Sequence, residues 1–325
     1  MHVKSQVAVL GVLLVALVGG CSDVMIDSVV SPEQVRDVVE RNIANLVYVE
    51  GGTFMLGDVG VLDGSPYTTL NDHSKPPVEV TLNSYSISKY ETTWGDFVLY
   101  LKDVDRIQNY TKEAGYTTAA IVPITSNQDL LSPNYYKKPA RSPNYHEAKG
   151  YCDWLAEKSG LPFALPTEAQ WEYAARSRGR NVPYATDDGT LENDTYLQRP
   201  EQYIDPETPP SGNALGHSSL TQERRAVGSY PPSPLGLYDM TGNLAEWTQD
   251  WFDPDHYQHI DSTNPGGPEQ PLDSENPEKV VRDYAGRGDL WGGAGTVFAR
   301  SGENINTSFN NGFRCVVNQS TPVQQ

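Results

Sequence analysis

The stretch that most constrains this chain is Gly236-Leu237-Tyr238-Asp239-Met240-Thr241-Gly242-Asn243-Leu244-Ala245-Glu246-Trp247, a dense run of turn formers, carboxylates and aromatics. It stands beyond a long region, from about Gly179 to Pro234, that is rich in Pro, Gly, Asn, Asp and Thr and poor in apolar runs. Irregular stretches of that length inside compact domains are usually functional or disordered, so loops are expected to dominate. No internal repeat and no long linker interrupts the chain. Its length is enough for one large domain or two small ones.

Regular elements are nevertheless signalled. Ser31-Pro32-Glu33-Gln34 has the form of a capping box with proline at the first helical position, and Val35, Val38, Val39 and Ile43 follow at helical spacing. Leu46 to Val49 is a short apolar run, Gly51-Gly52 a break, and Thr53 to Gly57 a second strand. Val78 to Leu82 alternates like a half-buried strand. Tyr85 to Thr93 leads into a helix carrying Trp94, Phe97, Val98 and Leu101. Asn144 with Glu147 predicts a capped helix with Ala148, Tyr151, Cys152 and Leu155 on one face and Gly160 as its stop. Thr167 with Gln170 repeats that logic above Trp171, Ala174 and Ala175.

Taken together, these segments resemble the formylglycine-generating enzyme (sulfatase-modifying factor) family. The resemblance rests on the Gly236 to Trp247 run, on the glycine pair before Phe54-Met55, on Ile87 to Thr93, on Leu165 to Arg176 with Gln170 as its one departure, and on Asn311-Gly312-Phe313-Arg314-Cys315. It implies an α+β fold, the formylglycine-generating-enzyme variant of the C-type lectin-like fold, with low regular secondary structure and long loops. The expected organisation is a lipoprotein signal peptide over 1–20, a tether and short amphipathic helix over 21–45 that separates anchor from body, the family domain over 46–317, and a polar tail over 318–325.

The compartment is read from the start of the chain. Lys4, an apolar run from Val7 to Val18 and small Gly19-Gly20 before Cys21 make an export signal. The run is shorter than the roughly 18 residues of a spanning helix. Val18-Gly19-Gly20-Cys21 resembles a bacterial lipobox, with valine where leucine is usual, which implies lipidation of Cys21. Ser22 after it implies an outer-membrane lipoprotein facing the periplasm. The alternative is an ordinary secretory signal with an incidental cysteine. The whole chain has 24 Lys and Arg against 42 Asp and Glu. Nucleic acid is therefore an unsuited partner, since its binding is driven by neutralising phosphates. The one dense basic stretch, Arg176-Ser177-Arg178-Gly179-Arg180, is expected as the solvated end of a helix, its cations placed at the negative end of the dipole.

Two cysteines remain, Cys152 and Cys315. An even pair in an oxidising compartment favours a disulfide over two separate buried thiols, and the resemblance implies that these two positions are bonded to each other. In the family the copper-binding active cysteines would fall near Arg287 and Gly292, where this chain has none. Cu(I) requires soft thiolates, so no copper and no copper-dependent formylglycine formation is expected. Of the histidines, His256 and His259 form an i, i+3 pair in a loop, read as solvated in preference to metal-bound. Candidate polar residues near the former active groove are Arg287, Asp289, Trp291, Arg300 and Asn304.

A calcium site is also implied by the resemblance, with Asp239 and Glu246 as side-chain ligands and Gly242 and Leu244 giving backbone carbonyls, a set of hard oxygens suited to that ion. The alternative is a metal-free turn locked by Trp247 and hydrogen bonds. A second family site would begin at Asn213-Ala214, without a clear acidic match downstream. The expected function is a non-catalytic periplasmic binding or adaptor protein, an accessory or immunity component of an envelope or secretion system. Its partner would be an envelope protein, suited to the acidic surface if basic. Tyr135, Tyr136, Tyr196, Tyr203, Trp251, Phe252 and Tyr257 are candidate aromatic anchors, against ordinary loop packing for most of them. The alternative is a periplasmic tailoring oxidoreductase of the cysteine-less branch, of the siderophore-maturation type.

Overall fold

The computed structural model describes residues 29–68, 72–107, 137–140, 143–190, 226–283, 296–306 and 311–324. Helix α1 spans Pro32–Ala44, and strands β1 and β2 span Leu46–Val49 and Gly52–Leu56. After a 3-10 turn at Val59–Asp63 come β3, Val78–Leu82, β4, Tyr85–Ser88, and α2, Trp94–Asp103. Helix α3 spans Tyr145–Ser159, β5 Phe163–Ala164, and α4 Glu168–Ala175. Strand β6, Ala245–Trp251, is followed by a 3-10 turn at His256–Gln258. The last strands are β7, Glu278–Arg282, β8, Arg300–Asn304, β9, Asn311–Gly312, and β10, Val316–Val317.

All three capping boxes form. Ser31 and Gln34, Asn144 and Glu147, and Thr167 and Gln170 each exchange side-chain to backbone hydrogen bonds at the starts of α1, α3 and α4. These satisfy amide groups that a helix start leaves open. Gly160 ends α3 in the left-handed region at φ 71°, a conformation with little penalty for a residue lacking Cβ.

The strands make three sheets. One has the order β1-β4-β10-β5, a second pairs β2 with β3, and a third has the order β8-β7-β6-β9, with β6 parallel to β9. Two apolar clusters fill the space between them and the helices. One joins α1, α2 and α3 around Phe97, Tyr151, Leu155 and Phe313, and the other packs Trp171, Tyr85, Ile87 and Phe298 around α4. Cys152 of α3 is bonded to Cys315, which precedes β10, across a separation of 163 residues. The first sheet is thereby tied to the helical cluster.

Two local expectations are corrected. Helix α1 is no spacer between anchor and body. Val38 and Val39 are buried in the core, and Arg41 pairs with Asp96 of α2, so the helix is a wall of the domain. The basic run after α4 is also not a solvated helix end. Ser177, Arg178 and Gly179 have φ of 45°, 70° and 75°, which folds the chain back over the helix. Arg176 is left 1% exposed, donating to Glu172, Met55 O and Arg180 O. Arg178 reaches solvent and pairs with Glu50. A left-handed turn, which residue type does not announce except at Gly179, decided which arginine went inside.

Candidate functional site

Helix α4 is short and buried at every position but Gln170: Glu168 and Glu172 are as enclosed as Trp171 and Ala174. Its two carboxylates organise a buried charge network. Glu168 accepts from Arg282 Nη1 at 2.6 Å, from Arg300 Nε at 2.6 Å and Nη2 at 3.0 Å, and from the Tyr257 hydroxyl at 3.0 Å. Glu172 accepts from Arg282 Nη2 at 2.7 Å and from Arg176 Nη1 at 2.8 Å. Burial alone would raise the Glu168 carboxyl, but the Arg300 and Arg282 guanidiniums outweigh it and hold it at about 2. Arg300 also donates to the carbonyls of His73 and Asp253. A single side chain thus clamps the loop before β3 to the loop after β6.

At the edge of this network Asp250 accepts from the Glu168 amide at 2.7 Å. Burial, with the neighbouring Glu168 charge, pushes its carboxyl up to about 7. Lys279 donates to Gln249 O and lies 3.6 Å above the Trp251 ring. Burial lowers its ammonium to about 8.

The second polar centre is the Gly236 to Trp247 run. Asp239, Gly242 and Asn243 have φ of 57°, 93° and 61°, so the turn curls tightly before entering β6. Surrounding carboxylates hold its amides. Gly242 N donates to Asp283, Leu244 N and the Asn243 side chain donate to Glu91, and Gly228 N donates to Asp239. Glu246 is paired with Arg314, which donates to it through Nε and Nη2 at 2.7–3.0 Å, and it also accepts from Trp171 Nε1. Burial raises Glu91 and Asp283 well above the ordinary carboxylate range. Burial also brings Asp239 to about 6, with the Glu246 charge adding to the effect. Asp283 Oδ1 is buried without a hydrogen-bond partner among the described residues.

The oxygen-only donors, the cluster of buried carboxylates whose ionisation burial disfavours and the orphaned Asp283 oxygen fit a hard cation such as calcium. The share expected of Glu246 does not fit equally well, because Arg314 and Trp171 fill its lone pairs. The carboxylates whose repulsion a cation at this turn would relieve are Asp239 and Glu91. Among the described residues no three His, Cys, Asp or Glu side chains are arranged to hold a metal ion. The implied set has two side chains, Asp239 and Glu246, and draws its other oxygens from the backbone carbonyls of Gly242 and Leu244.

The sequence-expected groove residues divide. Arg300 does not line a groove, since it is 3% exposed and turned onto Glu168. Asn304 donates to Asn276 at the surface. Arg287, Asp289, Trp291, Cys21 and Asn213 lie outside the described residues. Of the aromatic anchors, Tyr257 is buried in the charge network, Phe252 packs against His73 and Arg300, and Trp251 covers Lys279. Tyr135, Tyr136, Tyr196 and Tyr203 are outside the described residues. His256, read as solvated, is half-buried, with Nε2 lacking a partner among the described residues. Sequence reasoning missed Glu168, Glu172 and Arg282. The available signal was an i, i+4 pair of carboxylates on one face of a helix whose other positions are almost all apolar or aromatic.

Among the described residues no helix is long and apolar enough to cross a membrane. A family model described as Sulfatase-modifying factor enzyme 1-like domain matches residues 32–319. Serine/threonine-protein kinase pkn1 of Chlamydia pneumoniae is 29% identical over 234 residues, which are 70% of this chain and 31% of the kinase. This chain thus spans under a third of that protein. The formylglycine-generating enzyme of Streptomyces coelicolor is 26% identical over 254 residues, covering 70% of this chain and 76% of the enzyme. Among solved structures, PvdO from Pseudomonas aeruginosa superposes with a TM-score of 0.52 at 20% identity, over 84% of this chain and 93% of that one. Treponema denticola variable protein 1 does so with a TM-score of 0.55 at 18% identity, over 84% and 95%.

Proposed function

This chain belongs to the Sulfatase-modifying factor enzyme 1-like domain family over residues 32–319, and from that premise we propose that it is a non-catalytic binding protein of the bacterial envelope that uses the scaffold to hold a protein partner. The observation that carries the proposal is how its cysteines are used. The chain has three, and the two inside the matched region, Cys152 and Cys315, are bonded to each other. That region therefore offers no thiolate to bind Cu(I) or to enter a mixed disulfide with substrate. Arg300, the described basic residue expected of a catalytic groove, is committed to Glu168 and to the carbonyls of His73 and Asp253.

Three further elements belong to the proposal. Cys21 is the lipidated residue, anchoring the chain in the outer membrane with the domain in the periplasm. The excess of acidic residues, a net charge of −18, suits a basic partner by steering its approach. A calcium ion at the 239–246 turn, held by Asp239 and the carbonyls of Gly242 and Leu244, neutralises buried carboxylates and has a structural role only.

Two experiments test it. Incubation with Cu(I), oxygen and a cysteine-containing sulfatase-type peptide is expected to give no peptide aldehyde, and aldehyde formation overturns the non-catalytic reading. Capture of the full chain from membranes is expected to bring a stoichiometric partner, while the Cys21→Ser form moves to the soluble fraction. Reproducible absence of a partner together with oxidation of a siderophore precursor would favour the tailoring alternative.

A further inference from the structure

A cleft of about 510 Å³ opens between the last turn of α1, the first turns of α2 and the chain leaving β4. That volume lies within the range of small-molecule sites, about 300–1,000 Å³. Its charged lining is two cations, Arg41 and Lys137, and two carboxylates, Glu91 and Asp96. The acidic groups on its wall are already committed. Asp96 accepts from Arg41 and Asn42, and Glu91 accepts from Leu244 N and Asn243. Arg41 uses Nε and Nη2 on Asp96, which leaves Nη1 without an acceptor among the described residues. Lys137, exposed, belongs to the lining of the cleft, and its backbone carbonyl is fixed by Val227 N. Tyr90, Leu99 and Val227 supply an apolar wall. Tyr90 is held in place by its ring contact with Tyr238, 5.0 Å between centroids.

Two cationic donors beside a partly exposed apolar wall match a ligand with one negative group and an apolar body. We propose that this cleft binds a small organic monoanion, a carboxylate with an apolar or aromatic body, its charge on Arg41 and Lys137 and its body against Tyr90, Leu99 and Val227. Fields beyond about 8 Å are screened at physiological ionic strength, so these nearby donors govern binding once the ligand has arrived. The carboxylates of Glu91 and Asp96 on the same wall disfavour multiply charged anions such as phosphate. A bound molecule would bridge α1 to α2, at the helix that the sequence places next to the membrane tether. The proposal stands apart from the protein-partner reading, and either can fail without the other.

The test is calorimetric titration of the full chain with 4-phenylbutyrate, with 4-phenylbutan-1-ol as the neutral analogue and inorganic phosphate as an anion without an apolar body. Saturable one-to-one binding of 4-phenylbutyrate is expected, about tenfold weaker for the alcohol and for Lys137→Glu, the size of one lost charge-assisted contact. Leu99→Trp, at a partly exposed position that should tolerate it, fills the cleft and is expected to abolish binding while leaving the circular dichroism spectrum and Tm unchanged. No saturable binding of 4-phenylbutyrate overturns the proposal. Binding unaffected by either substitution, or phosphate binding as tightly as the organic acid, does so as well.

Discussion

Glu168→Gln is the perturbation that most directly probes what holds the centre of this domain together. The change keeps shape, removes one charge from between two buried guanidiniums and puts a donor NH2 in place of one acceptor oxygen. A carboxyl held at about 2, where an unperturbed glutamate titrates near 4.5, contributes roughly 3 kcal/mol at neutral pH, at about 1.4 kcal/mol per tenfold change in proton affinity. The geometry gives the same scale independently. Breaking a buried ion pair by neutralising one partner costs about 3–5 kcal/mol, because the other charge stays buried, and here Arg282 would keep Glu172 while Arg300 would keep no carboxylate partner among the described residues. Because the folded pKa is depressed, the contribution is present above the unfolded value near 4.5 and is lost as pH falls through about 2. Urea unfolding followed by tryptophan fluorescence, across pH 2.5 to 7, should show the variant less stable by about 3 kcal/mol at pH 7. The gap should shrink steadily below pH 4.5. A difference under about 1 kcal/mol at pH 7, or one that does not change with pH, would refute the assignment of Glu168 as the counter-charge of this core.

Asp250→Asn is expected to act in the opposite direction. Its folded pKa is raised to about 7, so the stabilisation from the protonated form is lost as pH rises through 7, and the asparagine variant should gain on wild type by on the order of 3 kcal/mol between pH 5 and 8 in denaturant titrations. Replacing Cys152 and Cys315 together by alanine should cost on the order of 4–5 kcal/mol, since the bridge closes a loop of 163 residues; the denaturant midpoint with and without reductant checks it. Gly179→Ala should lower stability by about 1–3 kcal/mol, because Gly179 has φ 75° and an added Cβ would lie 2.4 Å from Phe54 Cβ. If the calcium proposal holds, millimolar calcium should raise Tm by several degrees and excess chelator reverse it, the response being lost in Asp239→Ala. A Tm indifferent to calcium in wild type would remove the ion from the proposal.

The sequence by itself determined the family, the α+β character and most element starts. Those features are written locally: Ser31 with Gln34, Asn144 with Glu147 and Thr167 with Gln170 specify helix starts within four residues. The Gly236 to Trp247 run likewise announces a turn by its glycines and asparagine, although Glu91 and Asp283, far along the chain, hold its amides. Only the tertiary structure decided what the charged residues do. Arg282 and Arg300 are separated by 114 and 132 residues from Glu168, and a buried ion pair has no local periodicity to betray it. Nor could residue type alone place Arg176 inside and Arg178 outside, since that follows from a left-handed turn and from the carbonyls of Met55 and Arg180 that receive the guanidinium. Helix α1 likewise carries an amphipathic pattern compatible with a spacer or a wall. It is a wall because α2 and α3 supply the apolar surface that Val38 and Val39 bury, and that arrangement shapes the cleft beside it.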